Sequence, residues 1–393
     1  MRPFVCALLL AVLLPQPAAC SSGALRRLLL PFYSAQIPLS YDEQFPHWRQ
    51  SSWDDKGIKN AHKNLTQANP SPLLLSLAEA KQTYRLNDWL YFELLSTAID
   101  RILANHTPNE KELALWFFLK ESGFHTRMAS SGNALYVYAQ TEEEVFEVPL
   151  VTDEGATFVN LTAIRQHNPE SDKSVYLLAL PEHPAGRPFS FQLKELPLFP
   201  AKETSRDFQF RFQDQPHHLR IQLDQTVVQW MQHYPLIQEG AYFDIPFSPA
   251  LRASLIPQLK ALTANKPPLE VLGLLTAFSR TAFRYQEDIQ SFGRSKPMIA
   301  EEVLYYPFSD CEDRAALLYA LIREFLIVPT IVIAYPNHMT LAVDLPNLGG
   351  EFVIHKGRRY FICDPTGSID GLLLGEPSKW WQTQAFQLIR EYK

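Results

Sequence analysis

A chain of 393 residues, 46% of them hydrophobic, is long enough to bury two or three cores rather than one. Its formal charge of −6, with no basic run, argues against nucleic acid or an anionic membrane surface as the main partner. Four cysteines in such a length are too few for a disulfide scaffold.

Residues 1–20 read as a secretory signal. Met1-Arg2 gives a positive start, Phe4–Leu14 an apolar run, and Gln16-Pro17-Ala18-Ala19 a small-residue cleavage zone. The run is too short to span a bilayer and no later stretch qualifies, so no transmembrane helix is expected after signal removal. Cys20 after Ala18-Ala19 looks like a lipoprotein cleavage site, although Pro17 departs from the usual apolar residue there. Ordinary cleavage and a lipid anchor at Cys20 both stay open.

Residues 21–60 are aromatic and irregular, as in a docking arm. Helices are expected at Pro72–Gln82, Asp88–Ala104 and Lys111–Lys120, and strands at Leu135–Ala139, Val145–Pro149 and Thr157–Leu161. Together these make an α+β unit over 21–165. Val175–Leu180, Phe189–Leu193, Phe208–Phe212 and Leu219–Leu223 alternate like strands and suggest a small β-rich, sandwich-like domain over 166–247. His217-His218 lacks further ligands and reads as a solvent-exposed pair. A final unit over 248–393 opens with helices at Pro249–Ala264, capped by Ser248, and Pro268–Tyr285.

The chemistry concentrates in this last unit. Ser309 and Glu312 have capping-box spacing, which starts a helix at about Asp310 and puts Cys311 in its first turn. Cys311, Ala315, Leu318, Ile322 and Phe325 then share one core-facing stripe, with Glu312, Asp313, Arg323 and Glu324 off it. A helix terminus favours a thiolate by only about 0.3–1 kcal/mol. That cannot outweigh Asp310, Glu312 and Asp313, so activation requires a protonated imidazole nearby. His338 lies 27 residues after the cysteine, room for the helix, a turn and a strand at Thr330–Ala334. Asp364 lies 26 residues further, room for strands at 339–344, 351–355 and 359–364. If Asp364 faces His338, alternation turns Cys363 to the other side as a buried small hydrophobe. Either residue alone is more often structural; the three in order, with these settings, point to nucleophile, base and orienter.

Ser309-Asp310-Cys311-Glu312-Asp313-Arg314-Ala315-Ala316-Leu317, Tyr335-Pro336-Asn337-His338-Met339-Thr340-Leu341-Ala342-Val343 and Tyr360-Phe361-Ile362-Cys363-Asp364-Pro365-Thr366 resemble the bacterial transglutaminase-like superfamily. Phe283-Arg284-Tyr285-Gln286, Phe292–Pro297 and Glu301–Tyr306 resemble the approach to the cysteine in that superfamily, and the likeness covers roughly 265–375. The resemblance implies a papain-like domain, a cysteine helix packed on an antiparallel sheet, with Cys311 as nucleophile, His338 as general base and acid, and Asp364 as orienter. The backbone N–H of Cys311 would serve the oxyanion hole, with Tyr305 or Tyr306 as guesses for the second donor. Asn87–Tyr91 is similar to uncharacterised exported bacterial proteins of this layout. The expectation is therefore a periplasmic or surface thiol hydrolase or acyltransferase acting on protein or cell-wall peptide. The alternative is a catalytically inactive binding or scaffold protein of the envelope. The chemistry requires no metal or organic cofactor. Some exported relatives hold calcium through acids beside the cysteine, a role open to Glu312 and Asp313 besides that of plain first-turn acids.

One internal comparison cuts across these units. Leu317–Glu324 lines up with Ala114–Glu121, Ser309–Glu312 with Thr107–Glu110, Asn337–Met339 with Asn133–Leu135, and Phe361-Ile362 with Phe158-Val159, all at nearly one spacing. This suggests a decayed copy in which Asn109, Ala134 and about Leu161 replace Cys311, His338 and Asp364. The competing explanation is that any helix followed by two strands slides into register.

Overall fold

The computed structural model describes residues 23–50, 52–53, 55–166, 174–181, 183, 185–366 and 385–392. The signal segment, Cys6 and the anchor expectation at Cys20 lie outside them. The expected irregular arm is instead a hairpin of β1 (Leu25–Phe32) and β2 (Ala35–Asp42). Leu30, Phe32, Ala35, Ile37 and Leu39 are buried while Leu29, Gln36 and Pro38 are exposed, the alternation of a half-buried sheet. Helix α1 (Asp55–Gln67) follows, then α2 (Ser71–Thr83), α3 (Asp88–Ile102) and α4 (Pro108–Glu121). Asn87 caps α3 by accepting from Leu90 N–H at 3.0 Å. The Thr107–Glu110 capping box opens α4 as its spacing predicts: Glu110 N–H reaches the Thr107 hydroxyl, and Thr107 N–H reaches the Glu110 carboxylate.

Beyond α4 come β3 (Thr126–Ser131), β4 (Ala134–Gln140), β5 (Leu150–Asp153), β6 (Ala156–Asn160), α5 (Leu161–Gln166) and β7 (Tyr176–Leu177). Val145, expected in a strand of its own, instead bridges Ile237, and the strand begins at Leu150. Among the described residues the expected β-rich domain over 166–247 does not form. Its first strand, β7, pairs with β3. Phe189, Phe191 and Leu193 join the first core without strand pairing. The remaining hairpin, β8 (Glu203–Phe212) with β9 (Gln215–Asp224), buries Phe208, Phe210, Leu219, Ile221 and Leu223 in the second core. A single hairpin cannot bury an apolar face by itself, so it borrows a neighbour's core. His217 stacks on Phe210 with ring centroids 5.0 Å apart.

After α6 (Gln225–Met231), α7 (Pro249–Thr263) begins at Ser248, whose hydroxyl accepts from Leu251 N–H. Helix α8 (Pro268–Thr281) ends sooner than expected. The residues after it form β10 (Arg284–Tyr285); α9 (Asp288–Phe292) and α10 (Ala300–Tyr305) follow, then β11 (Phe308–Ser309). Parallel pairing of β10 with β11 brings Tyr285 opposite Ser309, just ahead of α11 (Cys311–Phe325). The last sheet is β12 (Thr330–Tyr335), β13 (His338–Val343), β14 (Phe352–His355), β15 (Arg358–Cys363) and β16 (Gln387–Tyr392).

Among the described residues the chain is thus mixed α+β with two five-stranded antiparallel sheets, ordered β5-β6-β4-β3-β7 and β14-β15-β13-β12-β16. The two orders are the same when read in chain sequence. Pairing matches as well: Ser131↔Ala134 corresponds to Tyr335↔His338, and Ala139↔Val159 to Val343↔Phe361. Each sheet follows a capped helix, α4 or α11. By this register Asp364 corresponds to Thr162, one residue past the expected Leu161. No helix among the described residues is long and apolar enough to cross a membrane.

Candidate functional site

Helix α11 starts one residue later than the Ser309–Glu312 spacing suggests. Asp310 is the cap, and its N–H donates to Asp313 Oδ2 at 3.1 Å. The Ser309 hydroxyl is taken by Arg314, whose Nε donates to it at 3.1 Å. Arg314 also donates to the carbonyls of Arg280 and Phe283, tying the start of α11 to the end of α8. The expected stripe holds: Ala315, Leu318 and Ile322 are buried, with Cys311 and Phe325 packed at its ends. Asp313, expected off the buried face, is fully buried, because it caps Asp310 and accepts from Met298 N–H at 2.9 Å.

Cys311 is half-buried. Its thiol donates to Glu312 Oε2 at 3.0 Å, and its sulfur accepts a hydrogen bond from the backbone of Met339. Burial, then the Glu312 charge, pushes the thiol well above the usual cysteine range, so the resting sulfur is protonated. Helix α11 therefore meets β13 at the residue directly after His338. There His338 Nε2 lies 3.3 Å from Asp364 Oδ1. Thr366 holds the same carboxylate oxygen through its N–H at 2.9 Å and its hydroxyl at 2.7 Å. Although Asp364 is buried, the His338 and Thr366 contacts hold its carboxyl below the usual range. Cys363 turns the other way into the second core, 3.2 Å from the Thr276 hydroxyl, as alternation requires.

Carboxylates crowd the other side of the thiol. Oxygens of Asp288, Asp310 and Glu312 all lie within 4.8 Å of one another. Burial raises the Asp288 carboxyl to about 6, and burial with the Asp313 charge raises Asp310 strongly. Asp310 is 5% exposed, and its Oδ1 has no hydrogen-bond partner. Three converging carboxylates, one with an unspent buried oxygen, fit a hard divalent cation such as calcium. Asp313, expected beside Glu312 in that role, is committed to the helix cap; Asp288 and Asp310 stand in its place.

Of the two tyrosines expected near the oxyanion, Tyr306 is occupied by Gln232 Nε2 at 3.0 Å and packs among Phe292 and Phe308. Tyr285, expected only as part of the approach to the cysteine, was not anticipated beside the sulfur. Burial and, next, the Cys311 charge raise its phenol, which places it within charge range of the sulfur. The sequence marks Tyr285 only within the Phe283–Gln286 stretch ahead of the cysteine; β10 and β11, which set it opposite Ser309, are too short to carry a periodic pattern. In the first sheet Asn109 repeats the position of Cys311: Leu135 N–H donates to Asn109 Oδ1 at 3.1 Å, as Met339 does to the sulfur. With Asn109 and Ala134 where Cys311 and His338 stand, those two positions carry neither a thiol nor an imidazole. No protein family, curated protein or solved structure matches the chain.

Proposed function

We propose that the chain is an exported, bacterial, transglutaminase-like thiol enzyme that forms an acyl-enzyme with protein or cell-wall peptide through Cys311, His338 and Asp364. The observation that carries this reading is the His338–Asp364 contact at 3.3 Å, one residue from the amide that bonds the Cys311 sulfur. Asp364 holds Nε2 and steadies the imidazolium that forms when His338 takes the thiol proton. The sulfur then attacks the carbonyl carbon. The developing oxyanion meets the Cys311 N–H and the Tyr285 hydroxyl. His338 returns its proton to the leaving amine, and water or an incoming amine, deprotonated by His338, releases the acyl group. Water is the abundant acceptor in an exported setting, which favours hydrolysis over cross-linking.

Glu312 restrains this chemistry, since it holds the proton on sulfur. A divalent cation held by Asp288, Asp310 and Glu312 would supply positive charge beside the thiol. The chain's own part is to offer the three carboxylates and to keep Asp313 on the helix cap. The test is digestion of β-casein by the purified protein and by Cys311→Ala, with termini read by mass spectrometry. New termini from the wild type alone support hydrolysis. Incorporation of an added primary amine without cleavage shifts the reading to transfer. Neither product, with calcium present, leaves the alternative of a binding protein with a vestigial triad.

A further inference from the structure

Between the two sheet-bearing units lies a cavity of about 690 Å³. One wall is the loop after β4, with Glu144, Phe146 and Glu147; the other is the start of β16, with Leu388. The loop is fixed in place: Phe146 N–H donates to Leu236 O at 2.8 Å, and Gln238 N–H to Glu144 O at 3.2 Å. Gly240 closes the floor, where a Cβ would lie 2.8 Å from Ile389 O, so no side chain fits there without moving β16.

Three glutamates, Glu144, Glu147 and Glu239, line this groove, and among the described residues no lysine or arginine does. Phe146 and Leu388 line it too, 44% and 37% exposed, an unusual use of large apolar side chains at a charged surface. Strand β16 is the outer strand of its sheet, so its second edge has no strand partner among the described residues. Such an edge accepts an extended polypeptide. The groove borders the segment that holds the acidic cluster beside the thiol. Ser295 and Pro297 line it on either side of Lys296, whose N–H donates to Asp288 in the acidic cluster. Crowding and then the Glu312 charge raise the Glu239 carboxyl, so that wall lies within charge range of the residue bonded to Cys311.

We infer that this groove docks an extended, lysine- or arginine-bearing peptide with apolar side chains between its cations, and that the unit lacking the triad serves as one wall of the substrate site. The inference rests on the thiol-enzyme reading only for the chemistry after docking. Charge complementarity selects the cations, while Phe146 and Leu388 take the apolar side chains between them.

The test uses the full chain carrying Cys311→Ala, so that nothing is turned over. Two fluorescein-labelled decapeptides serve as probes, one alternating lysine and leucine, the other glutamate and leucine, read by fluorescence anisotropy. The lysine peptide should bind at least about tenfold more tightly. The combined variant Glu144→Gln, Glu147→Gln, Glu239→Gln should lose about tenfold for that peptide. A control with Glu79→Gln, Glu154→Gln and Asp214→Asn, exposed acids outside the groove, should stay within about twofold. Equal losses in the two variants would reduce the effect to net charge and overturn the inference. So would equal affinity for the two peptides, or no binding of either. Because the binding needs no thiol, peptide capture with an unreactive Cys311 would sink the proposed chemistry and leave the groove standing.

Discussion

The Cys311 thiol donates to the carboxylate of the next residue, Glu312, at 3.0 Å. A nucleophile tied to a neighbouring anion is held in its unreactive form, and burial adds to the restraint. The acid beside the sulfur and the imidazole at the start of β13 therefore pull its proton in opposite directions.

Replacing Glu312 by Gln removes the charge that keeps the thiol protonated. Iodoacetamide should alkylate Cys311 faster at pH 7–8 in Glu312→Gln than in the wild type. The apparent pKa should fall by about one unit or more. An unchanged rate–pH profile would mean that burial alone sets the thiol.

Asp364 acts through His338, and Asp364→Asn should keep the fold while reversing the hydrogen-bond preference at Nε2. Casein cleavage should fall by about a hundredfold or more, mainly in kcat. The altered contact is visible independently as a changed His338 ring chemical shift by NMR. A variant that retains full activity would remove Asp364 from the mechanism.

Calcium binding separates the carboxylates by role. Isothermal titration should detect binding in the wild type and none in Asp310→Asn, whose orphaned buried oxygen offers the ion a ready partner. Asp313→Asn should instead lower the melting temperature through loss of its hold on Asp310 and Met298. If Asp310→Asn binds calcium as well as the wild type, the cluster is not the site.

Two buried carboxyls far from the thiol set a pH dependence of stability. Burial raises Glu93 to about 8, where it accepts from the Tyr33 hydroxyl, and Glu301 to about 7, where it accepts from Ser248 and Asp224. Raised folded values mean that the native state binds more protons than the unfolded chain. The stabilisation is complete below the ordinary carboxyl range and is lost as pH rises through about 7 and 8. Melting temperature should therefore decline between pH 5 and 8, less steeply in Glu93→Gln.

Much of the site could be read from the sequence because its signals are local. The stripe from Cys311 to Phe325, the alternation that turns Cys363 inward, and the Thr107–Glu110 box each follow from spacing within a few residues. Three expectations failed for reasons that sequence spacing does not carry. The hairpin over 25–42 carries Pro31 and Pro38 on its exposed face, and prolines within a run speak against a strand, so it reads as irregular. The strands of 166–247 alternate correctly, yet their apolar faces complete cores supplied by residues on either side. The capping box shifts by one residue, from Ser309 and Glu312 to Asp310 and Asp313, because Arg314 takes the Ser309 hydroxyl and the Met298 N–H, from outside the helix, holds Asp313 in place. The repeated arrangement was visible as a near-constant spacing, and the shared strand order and register give that spacing a structural basis. Asn109→Ala should accordingly cost about 1 kcal/mol of stability, since Asn109 bonds Leu135 and Asn133, while leaving Cys311 alkylation unchanged.

The central claim is that sulfur, ring and acid work as one charge-coupled unit, and it is tested most directly by alkylation of Cys311 across pH in two proteins. In Glu312→Gln the apparent thiol pKa should drop below about 8.5, and in Glu312→Gln/His338→Ala it should climb back above that value. Superimposable profiles in the two would show that the imidazole does not act on the sulfur, and would contradict the account.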